Sequence, residues 1–184
     1  MAAAQALIRG FTPESELESA LAADPDLLEG LAWGQPRSGH PEGTVGAHVA
    51  ELLQTLDDWN EAEPRRSELR LIALVHDTMK YRVRDWLPKT GENHHAMRAR
   101  RFAERYLSDE RLLATIELHD RPYSLWRRLR RRGGLDERAF TAMLDRIPDP
   151  GLFLRFVQLD GSSEGKTPEP VAWLGEELRR RGAI

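Results

Sequence analysis

The sequence predicts an all-α fold. Three observations carry that expectation: apolar residues recur at helical spacing nearly throughout, proline and glycine punctuate the ends of those stretches, and no segment reads as a convincing strand. A length of 184 residues suits one domain with a substantial core.

The elements follow in order. Thr12-Pro13-Glu14 reads as an N-cap, a proline at the first helical position and an acid in the first turn, opening a helix that runs towards Leu28. Gly34 to Gly46 is rich in glycine and proline and reads as a loop. A second helix runs from about Val45 to Trp59, with Val45, Val49, Leu52, Leu53 and Leu56 on one face. A third starts near Pro64 or Ser67 and ends near Asp77, and Leu87 to Asn93 is a loop. The next helices are expected at about His94–Leu107 and from Ser108-Asp109-Glu110 to at least His119, where Pro122 bends or restarts the chain. Gly133-Gly134 ends the following basic helix, and Leu135 to Ile147 forms another. Pro148-Asp149-Pro150-Gly151 is a hard break before the last two helices, about Leu152–Asp160 and Pro170–Arg181.

Composition narrows the functional classes. The chain is 40% hydrophobic and 31% charged with a formal net charge of −3, which gives no global reason to expect nucleic-acid or membrane-surface binding. There is no cysteine, so disulfides, thiolate nucleophiles and zinc–thiolate sites are excluded. The N-terminal MAAAQALIRGFTPESEL has no basic region followed by a long apolar stretch, and no apolar run approaches bilayer length; neither a signal peptide nor a membrane span is expected, and the cytoplasm is the default compartment.

The chemistry begins at ALVHDTMK (73–80), an apolar stretch that stops at His76-Asp77. Leu69, Ile72 and Ala73 precede the dyad at helical spacing, so both side chains point to the apolar side. A buried carboxylate needs hydrogen bonds, a cation or a metal. A hydrogen-bonded His–Asp pair at a helix end would account for the dipeptide alone. Other helices repeat the pattern, however. His48 shares a face with Val45 and Leu52, His119 with Leu112 and Ile116, and Asp160 with Phe153 and Phe156. His95 shares its stripe with Ala99, Phe102 and Tyr106, whereas His94 falls with Arg98, Arg101 and Arg105 and is assigned to the surface or to a supporting role. His40 reads as a loop-surface residue. Imidazoles and carboxylates without sulfur favour manganese, iron, cobalt, nickel, zinc or magnesium without selecting one.

The ordered set resembles the HD-domain superfamily of metal-dependent phosphohydrolases. Its H…HD…D pattern is matched by His48, His76-Asp77 and Asp160, and its HD-x-x-K extension by His76-Asp77-Thr78-Met79-Lys80. HPEGTVGAHV (40–49) is similar to the entry to the first histidine in several HD domains, including those attached to tRNA nucleotidyltransferases. The resemblance covers residues 38–166. It implies one helical HD-type domain, with residues 1–37 a helical extension packed on the core, 38–166 the metal-binding core and 167–184 a C-terminal helix of the same domain.

The resemblance also implies roles. One divalent ion would be held by His48, His76, Asp77 and Asp160; two-metal members add histidines in the interval where His95 and His119 stand, with the HD aspartate bridging. One or two ions are therefore expected, His95 and His119 otherwise lining the substrate pocket. Asp77 would orient water and Lys80 would neutralise charge on a phosphate, although a lysine facing the helix dipole accounts for Lys80 equally well. Many members have glycine where Met79 stands, and its bulk is expected to narrow the pocket or alter substrate choice. Lys166 reads as a loop residue more readily than as a phosphate ligand.

The expected activity is hydrolysis of a phosphomonoester or phosphodiester, on a nucleotide or related small molecule. A di-iron oxygenase on the same fold is the second reading, kept open by His95 and His119. The third is a non-enzymatic ligand- or RNA-binding helical module, suggested by Trp126 and the basic run Arg127–Arg132, which reads more simply as a solvated helix face. The expected partner is a small phosphate-bearing molecule; nucleic acid and membrane are not expected, and the sequence leaves the oligomeric state open. Trp33, Trp59, Trp86, Trp126 and Trp173 read as packing residues, with Tyr81 and Trp86 placed to border the pocket.

Overall fold

Capping side chains set most of the helix starts in the computed structural model, which describes residues 2–36 and 41–184. The expected loop role of His40 and the expected boundary at residues 37 and 38 lie outside the described residues. Helix α1 spans Ala2–Leu7, α2 Glu16–Ala23, α3 Pro25–Ala32, α4 Val45–Asp58 and α5 Arg65–Val75. After two short 3₁₀ segments, Thr78–Arg82 and Gly91–Asn93, come α6 His95–Ala103, α7 Glu110–Leu118, α8 Arg121–Arg132, α9 Glu137–Leu144, α10 Pro150–Asp160 and α11 Glu169–Arg180. An isolated antiparallel bridge pairs Gly34 with Thr44; no strand forms among the described residues.

The all-α expectation holds, and its main error is at the N-terminus. The helix expected from Thr12-Pro13 is two helices, preceded by the unforeseen α1. Ser15, not Thr12, is the first cap, its Oγ accepting from the Glu18 N–H at 3.1 Å. Asp24 then ends α2 in an extended conformation (ψ 126°) and caps α3, its Oδ1 accepting from the Asp26 N–H at 2.8 Å. Pro25 enforces the break, since a residue before proline is driven out of the helical region. Thr44, Asp109, Asp136 and Asp149 cap α4, α7, α9 and α10 in the same way.

Two apolar clusters meet at α10. The larger joins Ala4, Ile8, Leu21, Leu27 and Leu31 from the N-terminal helices to the inner faces of α4, α5, α6 and α7, with Leu152, Phe156 and Leu159 of α10. The smaller gathers α8, α9 and α11 around Phe140, Leu174 and Leu178, against Phe153, Leu154 and Val157 on the other side of α10. Asp160 at the end of α10 therefore lies where the two clusters adjoin.

The dyad is set at a junction. α5 ends at Val75, two residues earlier than the apolar pattern predicts; His76 is its C-cap and Asp77 precedes the 3₁₀ segment. That segment lies against α3, where Gly30 makes the contact feasible: a Cβ on Gly30 would sit 1.9 Å from the Thr78 carbonyl oxygen. Met79 points into the larger cluster at 2% exposure, so the expected narrowing of the pocket does not occur. Its thioether is spent on core packing instead.

The tryptophans divide. Trp59 and Trp173 pack against the clusters, the Arg155 guanidinium lying 3.9 Å from the centre of the Trp59 ring. Trp126 stacks on Tyr123 at 6.2 Å. Trp86 is 79% exposed and Trp33 38%, against the packing role expected of them.

Candidate metal centre

Five elements deliver imidazoles and carboxylates to one buried place. α4 contributes His48 from its first turn, where capping by Thr44 and burial of Val45 and Val49 fix the helix rotation. The α5 end supplies His76 and Asp77, α6 supplies His95, the α7 end supplies His119 and the α10 end supplies Asp160. His48 is 2% exposed, His76 0%, Asp77 5% and His119 5%, values that ordinarily require a partner for every polar atom.

The ligand-type atoms face one another. His48 Nε2 lies 3.0 Å from Asp160 Oδ1, and His76 Nε2 lies 3.7 Å from the same oxygen and 3.5 Å from Asp77 Oδ2. The other Asp77 oxygen, Oδ1, lies 3.4 Å from His95 Nε2 and 3.5 Å from His119 Nε2. Asp77 thus turns one oxygen to each of two donor groups. The donor atoms of His48, His76 and Asp77 lie within 4.8 Å of one another, as do those of Asp77, His95 and His119.

Backbone carbonyls orient the rings. His76 Nδ1 donates to Ala73 O at 3.0 Å and His119 Nδ1 to Ile116 O at 2.8 Å, leaving each Nε2 to face the centre. His48 Nδ1 meets Ser163 Oγ at 3.1 Å, and Ser163 donates in turn to the Asp160 carbonyl at 3.3 Å.

The electrostatics favour positive charge here. Burial drives the His76 imidazolium down to about 3, so the ring is neutral and can donate a lone pair. Burial works against the Asp77 carboxylate, but Lys80, His119 and His95 hold it well below the usual carboxylate range. Asp160 is held low in the same way, burial being outweighed by Lys166 and His48. His119 is raised to about 9, burial opposing its charge and Asp77, Asp120 and Asp160 favouring it.

Two buried atoms answer whether these residues suit a metal ion. His76 Nε2 and Asp77 Oδ1 have no hydrogen-bond partner, although both belong to the ring of facing donors. An unsatisfied buried imidazole nitrogen and carboxylate oxygen at such spacing fit a divalent cation, and the sulfur-free donor set fits the metals named above.

The structure brings together His48, His76, Asp77, His95, His119 and Asp160, as their helical stripes predict. It corrects the reading of His94. That residue is the N-cap of α6, its Nδ1 accepting from the Ala96 N–H at 3.3 Å, so no helical stripe applies to it. Its Nε2 lies 3.3 Å from Asp120 Oδ2. Asp120 itself escaped the sequence reading, although His119-Asp120 repeats the His–Asp dipeptide of the dyad. Its carboxyl is pushed down to about 2, burial being outweighed by His94 and His119. Lys166 is also more than a loop residue: its Nζ donates to Asp160 Oδ1 at 2.7 Å and to the Asp160 carbonyl at 2.8 Å. Lys80 is paired with Asp77.

A cavity of about 390 Å³ opens beside these groups, within the size range of small-molecule pockets. Asp77, Lys80, His95, His119, Asp120, Asp160 and Lys166 are among the polar residues that line it, and Tyr123, Val157 and Val171 among the apolar ones. Tyr81 and Trp86 do not line it, contrary to expectation: the Tyr81 hydroxyl accepts from Arg82 Nε at 2.8 Å, and Trp86, beyond the 3₁₀ segment, is exposed to solvent.

A family model described as the HD domain matches residues 44–146, more than half of the chain. The chain belongs to the HD-domain family, whose members bind divalent metals. The match holds the dyad and the four neighbouring histidines; Asp160 and Lys166 lie beyond it and join the centre through α10 and the loop that follows. No curated protein and no solved structure matches the chain. No helix among the described residues is long and apolar enough to cross a membrane.

Proposed function

We propose that the chain is a metal-dependent phosphohydrolase acting on a phosphomonoester or phosphodiester, of a nucleotide or related small molecule. The observation that carries this reading is the pairing of two unlike features: buried, unsatisfied ligand atoms on His76 and Asp77, and two lysine ammonium groups at the wall of the adjoining cavity. The first suits a cation and the second an anion, which together are the requirements for binding a phosphate on a metal centre.

In this reading His48, His76, Asp77 and Asp160 hold one divalent ion. Asp77, through its second oxygen, serves a further position with His95 and His119, whether a second ion or the substrate occupies it. A bound ion of this kind supplies a Lewis acid and lowers the pKa of coordinated water. Asp77 would orient a water molecule through a carboxylate oxygen. Lys80 lines the cavity and stabilises negative charge developing on the phosphoryl oxygens. His95 and His119 face the same cavity, where their Nε2 atoms can meet a phosphoryl oxygen.

The two-sided Asp77 also suits a di-iron oxygenase. The lysines favour the hydrolase: both line the cavity, and once a metal ion takes over the charge of Asp77 and Asp160 they suit an anionic substrate better than an uncharged one. Metal analysis of the purified protein, followed by a phosphatase and phosphodiesterase substrate panel, tests the reading. Release of phosphate or nucleotide without oxygen supports it; oxygen consumption by anaerobically prepared iron protein, with no hydrolysis of any panel member, overturns it.

A further inference from the structure

The segment after Asp160 lies outside the stretch matched by the family and nonetheless builds one wall of the centre. Residues 161–168 leave the end of α10 and return into α11. Two side chains of this loop reach inward. Ser163, 7% exposed, holds His48 through Nδ1. Lys166 extends over Asp160 and grips both its carboxylate and its carbonyl. Gly165, at φ +81°, provides the left-handed turn that presents Lys166.

The atom that Lys166 holds is decisive. Asp160 Oδ1 is the oxygen that faces His48 Nε2 and His76 Nε2, and is therefore the one a metal ion between those histidines would need. Lys80 stands in the same relation to Asp77, holding Oδ2, the oxygen facing His76. Two ammonium groups thus sit on the two carboxylates of the first ligand set and supply the charge of one divalent ion. The Asp77 oxygen facing His95 and His119 has no lysine on it.

We propose that Lys166 is a place-holding cation of the metal centre and an anion-binding residue of the cavity. Without an ion, its ammonium neutralises Asp160 and keeps a buried carboxylate from standing uncompensated. An ion arriving at Asp160 Oδ1 competes with it for the same lone pair, so the ammonium leaves for the cavity that the side chain already lines. There it adds a cation to the cavity wall beside Asp160, placed for an anionic oxygen of the substrate. Metal occupancy and anion affinity are coupled through one side chain, and by thermodynamic reciprocity an anion that engages Lys166 tightens the metal. The anion half of this proposal rests on the phosphohydrolase reading; the place-holding half does not.

The test compares the wild-type chain with Lys166→Met, which keeps length and removes charge. Manganese affinity is measured by calorimetry without added anion, and inorganic phosphate affinity on the manganese-loaded protein. Loss of one charged contact of ordinary strength corresponds to about a tenfold change in a dissociation constant. Lys166→Met is expected to bind manganese about tenfold more tightly and phosphate about tenfold more weakly, with Lys166→Arg restoring phosphate binding. A purely structural salt bridge predicts weaker manganese binding in Lys166→Met, and that result overturns the place-holding role. Unchanged phosphate affinity overturns the anion-binding role while leaving the metal centre standing. A measurement on the wild-type protein stands apart from the fold of any variant: the Lys166 side-chain ammonium resonance, protected while paired to Asp160, should lose protection on saturation with magnesium or zinc. Retained protection with both ions rejects the displacement. Neither readout requires turnover, so failure of the hydrolase reading is separately visible in the substrate panel.

Discussion

Asp77 Oδ1 lies 3.5 Å from His119 Nε2 without a hydrogen bond to satisfy it, although the residue is 5% exposed. Leaving such an oxygen without a hydrogen bond costs on the order of 1–3 kcal/mol, a penalty that binding of a cation relieves. Asp77→Ala is therefore expected to abolish both metal retention and turnover. His94→Ala, which removes the α6 cap, the contact with Asp120 and the ring contact with His95 at 4.6 Å, should retain metal to near the wild-type level. Elemental analysis after gel filtration decides; equal loss in both variants would refute the division of labour between neighbouring histidines.

The two faces of Asp77 make a second expectation. His48→Ala and Asp160→Ala strip the first ligand set, whereas His95→Ala and His119→Ala leave it intact and strip the second. The latter pair should lower metal stoichiometry or weaken inorganic phosphate binding while keeping at least one tight ion. If His119→Ala loses all metal, the centre is a single mixed site and the two-sided description of Asp77 fails.

Much of this centre was legible from residue order because burial acts on helix faces. Every metal-type side chain on an apolar stripe, at His48, His76, His95, His119 and Asp160, arrives at the same place, since the stripes pack together where the two apolar clusters adjoin. What escaped lies where periodicity stops. His94 is a cap, Asp120 sits at the junction of α7 and α8, and Ser163 and Lys166 belong to a loop; none has a stripe to betray its direction. The α2–α3 break was missed for a related reason: Asp24-Pro25 interrupts an apolar pattern that continues on both sides, and the local chemistry of the cap overrides the period. Met79 shows the converse error, a residue next to the dyad in sequence but turned into the core by the 3₁₀ geometry.

Asp24 offers a stability prediction away from the metal centre. It caps α3 and accepts from Arg105 Nη2 at 2.7 Å, with Tyr106 donating to the same carboxylate oxygen. Burial opposes its charge, but Tyr106, the Asp26 and Leu27 N–H groups and Arg105 together hold its pKa below the usual 3.8. A depressed carboxyl pKa means the unfolded chain binds the proton first as pH falls. The stabilisation is thus present above about pH 4 and declines as pH drops below it through the folded-state value. Asp24→Ala should cost roughly 1–2 kcal/mol at pH 7, the usual range for a lost cap. Urea unfolding at pH 7 and pH 3 checks both parts: the gap between wild type and variant should narrow at the lower pH, and an undiminished gap would assign the effect to packing instead of charge.

The contact between α3 and the segment after the dyad links the N-terminal helices to the chemistry. Gly30 lets the Thr78 carbonyl approach so closely that any Cβ would overlap it, and both the glycine's helix and the 3₁₀ segment are held by the same cluster. Thr78 has no room to retreat, being 0% exposed with its hydroxyl donating to Val75 O at 2.8 Å. Gly30→Ala must therefore shift Thr78–Arg82 as a unit or spread α3 from it, at a cost of about 1–3 kcal/mol for overpacking. Because Asp77 immediately precedes that segment, the shift also reaches the carboxylate. The variant should melt at lower temperature and bind manganese more weakly than wild type, whereas Gly10→Ala, at a glycine with open space around it, should lower stability through its positive φ without touching metal affinity. Calorimetric manganese titration of the two variants, run well below their melting temperatures, separates the two effects. Wild-type metal affinity in Gly30→Ala would show that α3 supports the fold of the segment but not the placement of Asp77.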